Sequence, residues 1–278
     1  MKAFQYSFRS SDGLELFGQG WQPEENPKGV VCLIHGLGEH SGRYAPMAER
    51  YTLAGYALAS FDLRGHGRSP GKRGDAPSFE SFMDDISSFF EAVRTRFADE
   101  PFFAYGHSLG GLLMLNYLVR RTPNVIAAVS SAAGLHTSLT EQRFKVWMTQ
   151  TLGKVIPTFT LPTGLIPQML SHDTEVVKRY IEDPLVHDKA TVRMARETLA
   201  SIQYVFDHAH QINIPLLVLH GSADRLTYPS GSQELAKIVP NARLVLFDGF
   251  YHELHNEPQK EEVYRIVIDW LNSIILQD

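Results

Sequence analysis

The chain has 278 residues, 44% of them hydrophobic, with a single cysteine and a formal net charge of −5. That length can bury a large core as one domain with an insertion or as two domains, and the acidic balance argues against a nucleic-acid partner. One thiol excludes an intrachain disulfide and a thiolate metal cluster; Cys32, inside Val30-Val31-Cys32-Leu33-Ile34, reads as an inert core residue.

Lys2 to Phe8 and Leu14 to Gly20 flank the turn signal Ser11-Asp12-Gly13 and predict an antiparallel hairpin. The first residues hold no signal-peptide core and no apolar run approaches a membrane span, so a cytoplasmic protein is expected. Short apolar runs then alternate with helical patterns. Val30 to Ile34, Ala57 to Phe61, Phe102 to Tyr105 and Ile126 to Ser130 predict strands, and Arg43 to Ala54, Phe79 to Phe97 and Leu109 to Arg121 predict helices. The basic stretch Arg64, Arg68, Lys72 and Arg73 is broken by Gly and Pro and reads as a solvated or hydrogen-bonded loop.

From Gly134 to Asp207 no strand run appears, and helix-like pieces are broken by Pro157, Pro162, Pro167 and Pro184. This is too long for a structureless loop. Residues 134–207 are therefore expected to form an inserted helical cap over a core made of residues 1–133 and 208–278. Strands at Leu216 to Leu219 and Leu244 to Phe247, with helices at Pro229 to Val239 and Pro258 to Leu276, complete the pattern. The alternation predicts an α/β fold: a mostly parallel sheet, buried on both faces, flanked by helices and carrying the inserted cap.

Gly106-His107-Ser108-Leu109-Gly110 fits a G-x-S-x-G nucleophile elbow between a strand and a helix, which makes Ser108 the candidate nucleophile. A serine hydroxyl needs a base, and the base an orienting acid, in the chain order Ser, acid, His. Twelve histidines compete. His252 and His255 follow a strand run downstream of an eligible acid, and His252, nearer the strand end, is preferred. Asp224, delivered by the glycine turn after Leu216 to Leu219, is the preferred acid over Asp248, which precedes the histidine too closely to reach behind it. The backbone N–H groups of Leu109 and of Leu37, in His35-Gly36-Leu37-Gly38-Glu39-His40, are the candidate oxyanion hole.

Together these segments, with Ser41-Gly42-Arg43-Tyr44, Gly221-Ser222-Ala223-Asp224-Arg225-Leu226 and Tyr251-His252-Glu253-Leu254-His255, resemble the monoacylglycerol lipase and lysophospholipase branch of the α/β-hydrolase superfamily. Asp62-Leu63-Arg64-Gly65-His66-Gly67-Arg68-Ser69 is similar to a further hallmark of that group. The likeness spans nearly the whole chain and weakens in the cap. It implies the α/β-hydrolase fold, Ser108, Asp224 and His252 as triad, and the two leucine N–H groups as oxyanion hole. It adds Glu39, Arg43 and His255 as the polar end where glycerol sits; a simple ion pair between Glu39 and Arg43, four residues apart, is the alternative. For Asp62, Arg64 and His66 it implies loop architecture.

The expected reaction is hydrolysis of a monoacylglycerol ester through an acyl-enzyme, with lysophospholipase or general carboxylesterase activity, or a non-catalytic ligand-binding protein, as alternatives. No cofactor is expected. His252-Glu253-Leu254-His255 is one residue short of the H-E-x-x-H zinc motif, and no G-x-x-x-x-G-K-[ST] is present. Cap apolar residues Leu135, Leu139, Phe144, Val146, Trp147, Met148, Leu152, Val155, Ile156, Phe159, Leu161, Leu165, Ile166, Met169 and Leu170 either pack on the sheet or line an acyl tunnel. Such a cap would also suit transient contact with a lipid surface.

Overall fold

The computed structural model describes residues 1–137, 140, 151 and 155–276. Its strands, in chain order, are β1 (Lys2–Arg9), β2 (Glu15–Gln22), β3 (Val30–Ile34), β4 (Ala57–Phe61), β5 (Phe102–His107), β6 (Ala127–Ser131), β7 (Thr160–Pro162), β8 (Lys189–Thr191), β9 (Leu216–Gly221) and β10 (Ala242–Phe247). All but β7 and β8 form one sheet in the order β1-β2-β4-β3-β5-β6-β9-β10. The hairpin registers Lys2 against Gln22 and Arg9 against Glu15, and β2 joins β4 antiparallel. The six strands from β4 to β10 run parallel, as the alternation of the sequence requires.

Successive side chains of a strand point to opposite faces, so a parallel strand buried on both faces feeds two cores. In β3, Val30, Cys32 and Ile34 enter one core and Val31 and Leu33 the other. The first core is closed by α2 (Phe79–Arg94) and α3 (Leu109–Arg121), the second by α1 (Ala45–Leu53) and by a C-terminal helix, Lys260–Ile275. Helix α2 follows from its pattern: Ser78 caps it by accepting from the Ser81 N–H, and Phe79, Phe82, Met83, Ile86, Phe89, Phe90 and Val93 form its buried stripe. Strand β10 departs from the expected burial. It is the sheet's edge, so only one face is covered well and Leu246 is left 40% exposed.

Between β6 and β9 lie α4 (Thr174–Glu182) and α5 (Val192–His208), together with β7 and β8, which pair antiparallel with Thr160 opposite Thr191. This small ribbon was not expected from sequence. Three-residue strands are too short to show a period of two, and Pro162 at one end reads as a breaker. Of the apolar residues expected in the cap, Leu139, Phe144, Val146, Trp147, Met148 and Leu152 lie outside the described residues. Among those described, no helix is long and apolar enough to cross a membrane. Helix α6 (Pro229–Ile238) links β9 to β10, and Lys260–Ile275 is α7.

Because the six strands are parallel, the loops after β3, β5, β9 and β10 all open at one edge of the sheet, where ligands bind in open α/β folds. At the β5–α3 turn the chain must pass close beneath its neighbours. A Cβ on Gly106 would lie 2.5 Å from the Gly110 carbonyl oxygen, and one on Gly110 would overlap the main-chain oxygens of Ile34 and His35. Gly110→Ala is therefore expected to lower stability by about 1–3 kcal/mol, the cost of overpacking, and so to lower the urea midpoint. An unchanged midpoint would contradict this packing.

Candidate active site

Ser108 sits between β5 and α3 with φ 55° and ψ −120°, one of three described non-glycine residues with positive φ. Such a conformation costs of order 1–3 kcal/mol and persists only where the surroundings impose it. Here they do: the Ser108 N–H donates to Ser131 O at 3.0 Å, and its carbonyl accepts from Gly134 at 3.0 Å and Leu112 at 3.2 Å. With both main-chain polar groups bound, the side chain is turned out at the carboxyl edge of the sheet.

His252, in the loop after β10, meets that side chain. Its Nε2 lies 2.9 Å from Ser108 Oγ and its Nδ1 lies 2.7 Å from Asp224 Oδ2. Asp224 belongs to the turn after β9, where Oδ1 accepts from the N–H groups of Leu226 and Thr227 at 2.8 and 3.1 Å. The Thr227 hydroxyl donates to Oδ2 at 2.9 Å. Burial alone would push the Asp224 carboxyl up, but the charge of His252 and the hydrogen bonds of His220 and His252 outweigh it and hold the group far below the usual carboxylate range. For His252, burial pulls the imidazole down, and the charge and hydrogen bond of Asp224 overcome this, so it titrates above the ordinary histidine value. Asp248, the competing acid, instead takes the Ser222 hydroxyl at the surface.

Leu37 and Leu109 line the same cavity as Ser108 and His252. The Leu109 N–H opens α3 and so has no acceptor within the helix. A Cβ on Gly36 would stand 3.1 Å from Ser108 Cβ, which measures how closely the loop after β3 abuts the elbow. The Gly36 N–H is held by Glu39 Oε1 at 2.7 Å, and Tyr44 OH donates to the same oxygen at 2.8 Å.

The three residues expected at the polar end take different positions. Glu39 lines the cavity, whereas Arg43 and His255 are outside its lining. Arg43 donates to Glu39 Oε2 at 2.6 Å and makes two bonds of 2.7 Å to the carboxylate of Glu253, with the Tyr180 ring 4.7 Å from the guanidinium. Burial would push the Glu253 carboxyl up, but Arg43 holds it far below its usual range. His255 stacks on Tyr44 at 4.8 Å and meets the edge of His107 at 4.9 Å, and burial pushes its imidazole down to about 4. His107, 4.8 Å from the His252 ring, is likewise held well below the histidine value by burial. Neither competes with His252 for a proton near neutrality.

Three residues of the site, Glu253, Thr227 and His220, escaped the reading of the sequence. Glu253 adjoins His252, yet its partner Arg43 is 210 positions away, so no local spacing announces the pair. Thr227 and His220 look like turn and strand residues until the loop after β9 folds back on them. Asp62, for which loop architecture was expected, anchors the neighbouring loop, accepting from Ser41 N and Oγ at 2.8 and 2.5 Å and from Arg68 N at 2.7 Å. Among the described residues, no group of three or more His, Cys, Asp or Glu side chains is arranged to hold a metal ion.

The cavity encloses about 700 Å³ and is lined largely by apolar side chains, among them Leu112, Leu161, Leu165, Ile166, Met169 and Leu170. An alcohol, an imidazole and a carboxylate in hydrogen-bonded sequence beside it have the form that activates a hydroxyl for attack on a carbonyl. Such a base works only when unprotonated. Since the Asp224 charge raises the pKa of His252, activity should fall on acidification from a higher pH than the ordinary imidazole value of about 6.5 implies. In Asp224→Asn the burial of His252 is left unopposed, so the acid limb of kcat/KM should move down in pH while kcat drops about 10⁴-fold. An acid limb that stays in place would contradict the coupling.

The chain matches the hydrolase family model described as serine aminopeptidase, S33, over residues 25–259. It is similar to a monoacylglycerol lipase of Mycolicibacterium smegmatis, 33% identical and covering 97% of each chain. It is also similar to an uncharacterized abhydrolase domain-containing protein of Dictyostelium discoideum, 36% identical over 96% of this chain, which spans 28% of that longer protein. Among solved structures, the crystal structure of the Paleococcus ferrophilus monoacylglycerol lipase superposes with a TM-score of 0.83 at 36% identity, covering 99% of this chain and 100% of that one.

Proposed function

The chain belongs to the serine aminopeptidase S33 family of α/β hydrolases, and from that premise we propose that it is a serine ester hydrolase acting on monoacylglycerols. The observation that carries the reading is the unbroken hydrogen-bonded line from Ser108 Oγ through His252 to Asp224, opening on an apolar cavity. In this account Ser108 Oγ attacks the ester carbonyl as His252 Nε2 takes its proton, and the N–H groups of Leu37 and Leu109 receive the oxyanion. His252 then protonates the departing glycerol. Water, deprotonated by the same imidazole, attacks the acyl-enzyme and releases the fatty acid.

The cavity supports a long acyl group. Burying about a dozen methylenes at about 0.8 kcal/mol each contributes roughly 10 kcal/mol before the costs of ordering. We read residues 134–207 as the cap that contributes to this surface: Leu161, Leu165, Ile166, Met169 and Leu170 all lie on the lining. Exposed Val155, Ile156 and Phe159 would suit contact with a lipid surface.

The polar end supports an uncharged headgroup. Glu39, Arg43 and Glu253 together carry one net negative charge beside the elbow, which disfavours a phosphate there. We assign Glu39 to the glycerol hydroxyls, with Arg43 and His255 supporting it from behind. One observation favours a lysophospholipid instead: Arg225 is exposed and lines the same cavity.

A substrate panel separates these readings. Monoacylglycerol should be turned over faster than lysophosphatidylcholine or short-chain esters, with fluorophosphonate labelling of the wild type and none of Ser108→Ala. Glu39→Ala should lower monoacylglycerol kcat/KM by about tenfold to a hundredfold, the scale of a lost hydrogen bond to a charged group, and short-chain esters less. Lack of labelling in the wild type would favour a non-catalytic binder, and an unchanged substrate preference in Glu39→Ala and Arg43→Ala would remove the glycerol site.

A further inference from the structure

Asp224 has a second imidazole beside it. His220, the fifth residue of β9, is fully buried, and its Nε2 lies 3.1 Å from Asp224 Oδ2 and 3.1 Å from the Thr227 carbonyl oxygen. Its Nδ1 is 2.7 Å from the hydroxyl of Ser232, on α6. The two nearest neighbours of Nε2 are oxygens without a proton to give, a carbonyl and a carboxylate held far below its usual range; the Thr227 hydroxyl, farther off at 3.4 Å, has nearer acceptors for its own proton in Asp224 Oδ2 at 2.9 Å and the Ala132 carbonyl at 3.0 Å. Nε2 must therefore carry the hydrogen, and in the neutral ring Nδ1 is left as the acceptor for Ser232.

We propose that His220 is a positioning residue for the acid of this site, an Nε2-protonated imidazole that holds the turn of residues 221–227 from its buried side and keeps Asp224 Oδ2 aimed at His252. The inference rests on the serine-hydrolase reading above. Three groups surround Oδ2: His252 Nδ1 at 2.7 Å, the Thr227 hydroxyl at 2.9 Å and His220 Nε2 at 3.1 Å. The Thr227 hydroxyl stands 3.0 Å from the Ala132 carbonyl, within reach of both acceptors. His220 fixes the other end of Thr227 by taking its carbonyl, so the residue that supports Asp224 is itself held. The turn is thus fastened to β9 and α6, the rigid elements beneath it, and not to solvent-exposed chain. Withdrawing the His220 N–H frees one carbonyl and one side of the carboxylate, and His252 loses orientation while the apolar lining from Leu161, Leu165, Ile166, Met169 and Leu170 is untouched.

The test is a pair of substitutions read on a p-nitrophenyl ester. His220→Leu removes both ring nitrogens and should lower kcat about tenfold to a hundredfold, the range for a lost hydrogen bond to a charged acceptor, with KM unchanged. His220→Gln, whose amide N–H₂ reaches the place of Nε2, should recover most of that loss. A folded His220→Leu with wild-type kcat, a loss carried in KM, or a Gln variant as slow as Leu overturns the proposal. Should the Leu variant not fold, isotope-labelled imidazole nitrogens in the wild type decide: a proton on Nε2 of His220 is expected, and a bare Nε2 overturns it. A wild type with no esterase turnover at all would sink the serine-hydrolase reading, while the nitrogen measurement would still report on His220 alone.

Discussion

The turn at Ser108 is the constraint on which the rest of the site depends. With φ at 55° the residue occupies backbone space that side chains avoid, and the hydrogen bonds to Ser131, Gly134 and Leu112 hold it there. Those partners belong to the end of β6, to the turn that follows it and to α3, and β5 is itself paired between β3 and β6. The strain is thus supported by the centre of the sheet, the part of the molecule buried on both faces. For the proposed reaction, a hydroxyl fixed in this way needs little reorganisation to meet a carbonyl.

Around the turn the fold spends buried charge on orientation. Arg43, Glu39 and Glu253 are all largely withdrawn from water, a cost offset by the bonds that every oxygen of the two carboxylates and both terminal nitrogens of Arg43 make. The arrangement joins the loop after β3, through the Gly36 N–H and Glu39, to the loop after β10, through Glu253. Those loops carry Leu37 and His252. On the other side of His252, Glu257 is fully buried and accepts from the N–H groups of Tyr251 and His172 at 2.6 and 3.1 Å. Removing one member of such a buried pair typically costs about 3–5 kcal/mol, so these contacts bear on stability as well as on chemistry.

How much of this was legible in the sequence depends on the range over which each feature is encoded. The strand before Ser108, the glycines that let β5 and α3 cross, and the helix after it are local patterns, and each is found where the periodicity puts it. That Asp224 and His252 come together with Ser108 was also legible, because each follows a strand at the same edge of the sheet. The pairing of Arg43 with Glu253 was not, since neither residue carries a mark of its distant partner. His220 was hidden for another reason: in Leu-Val-Leu-His-Gly it reads as the polar end of a strand, and only the folding back of Thr227 gives it a task. The β7–β8 ribbon was too short for periodicity to reveal.

The central claim is that Ser108 becomes acylated during turnover, and intact-protein mass after rapid acid quenching of a reaction with a monoacylglycerol measures it directly. The account predicts a transient species heavier by one acyl group, the modification residing on the peptide that contains Ser108 and absent from Ser108→Ala. Turnover without any acyl adduct, or an adduct that survives in Ser108→Ala, would contradict it.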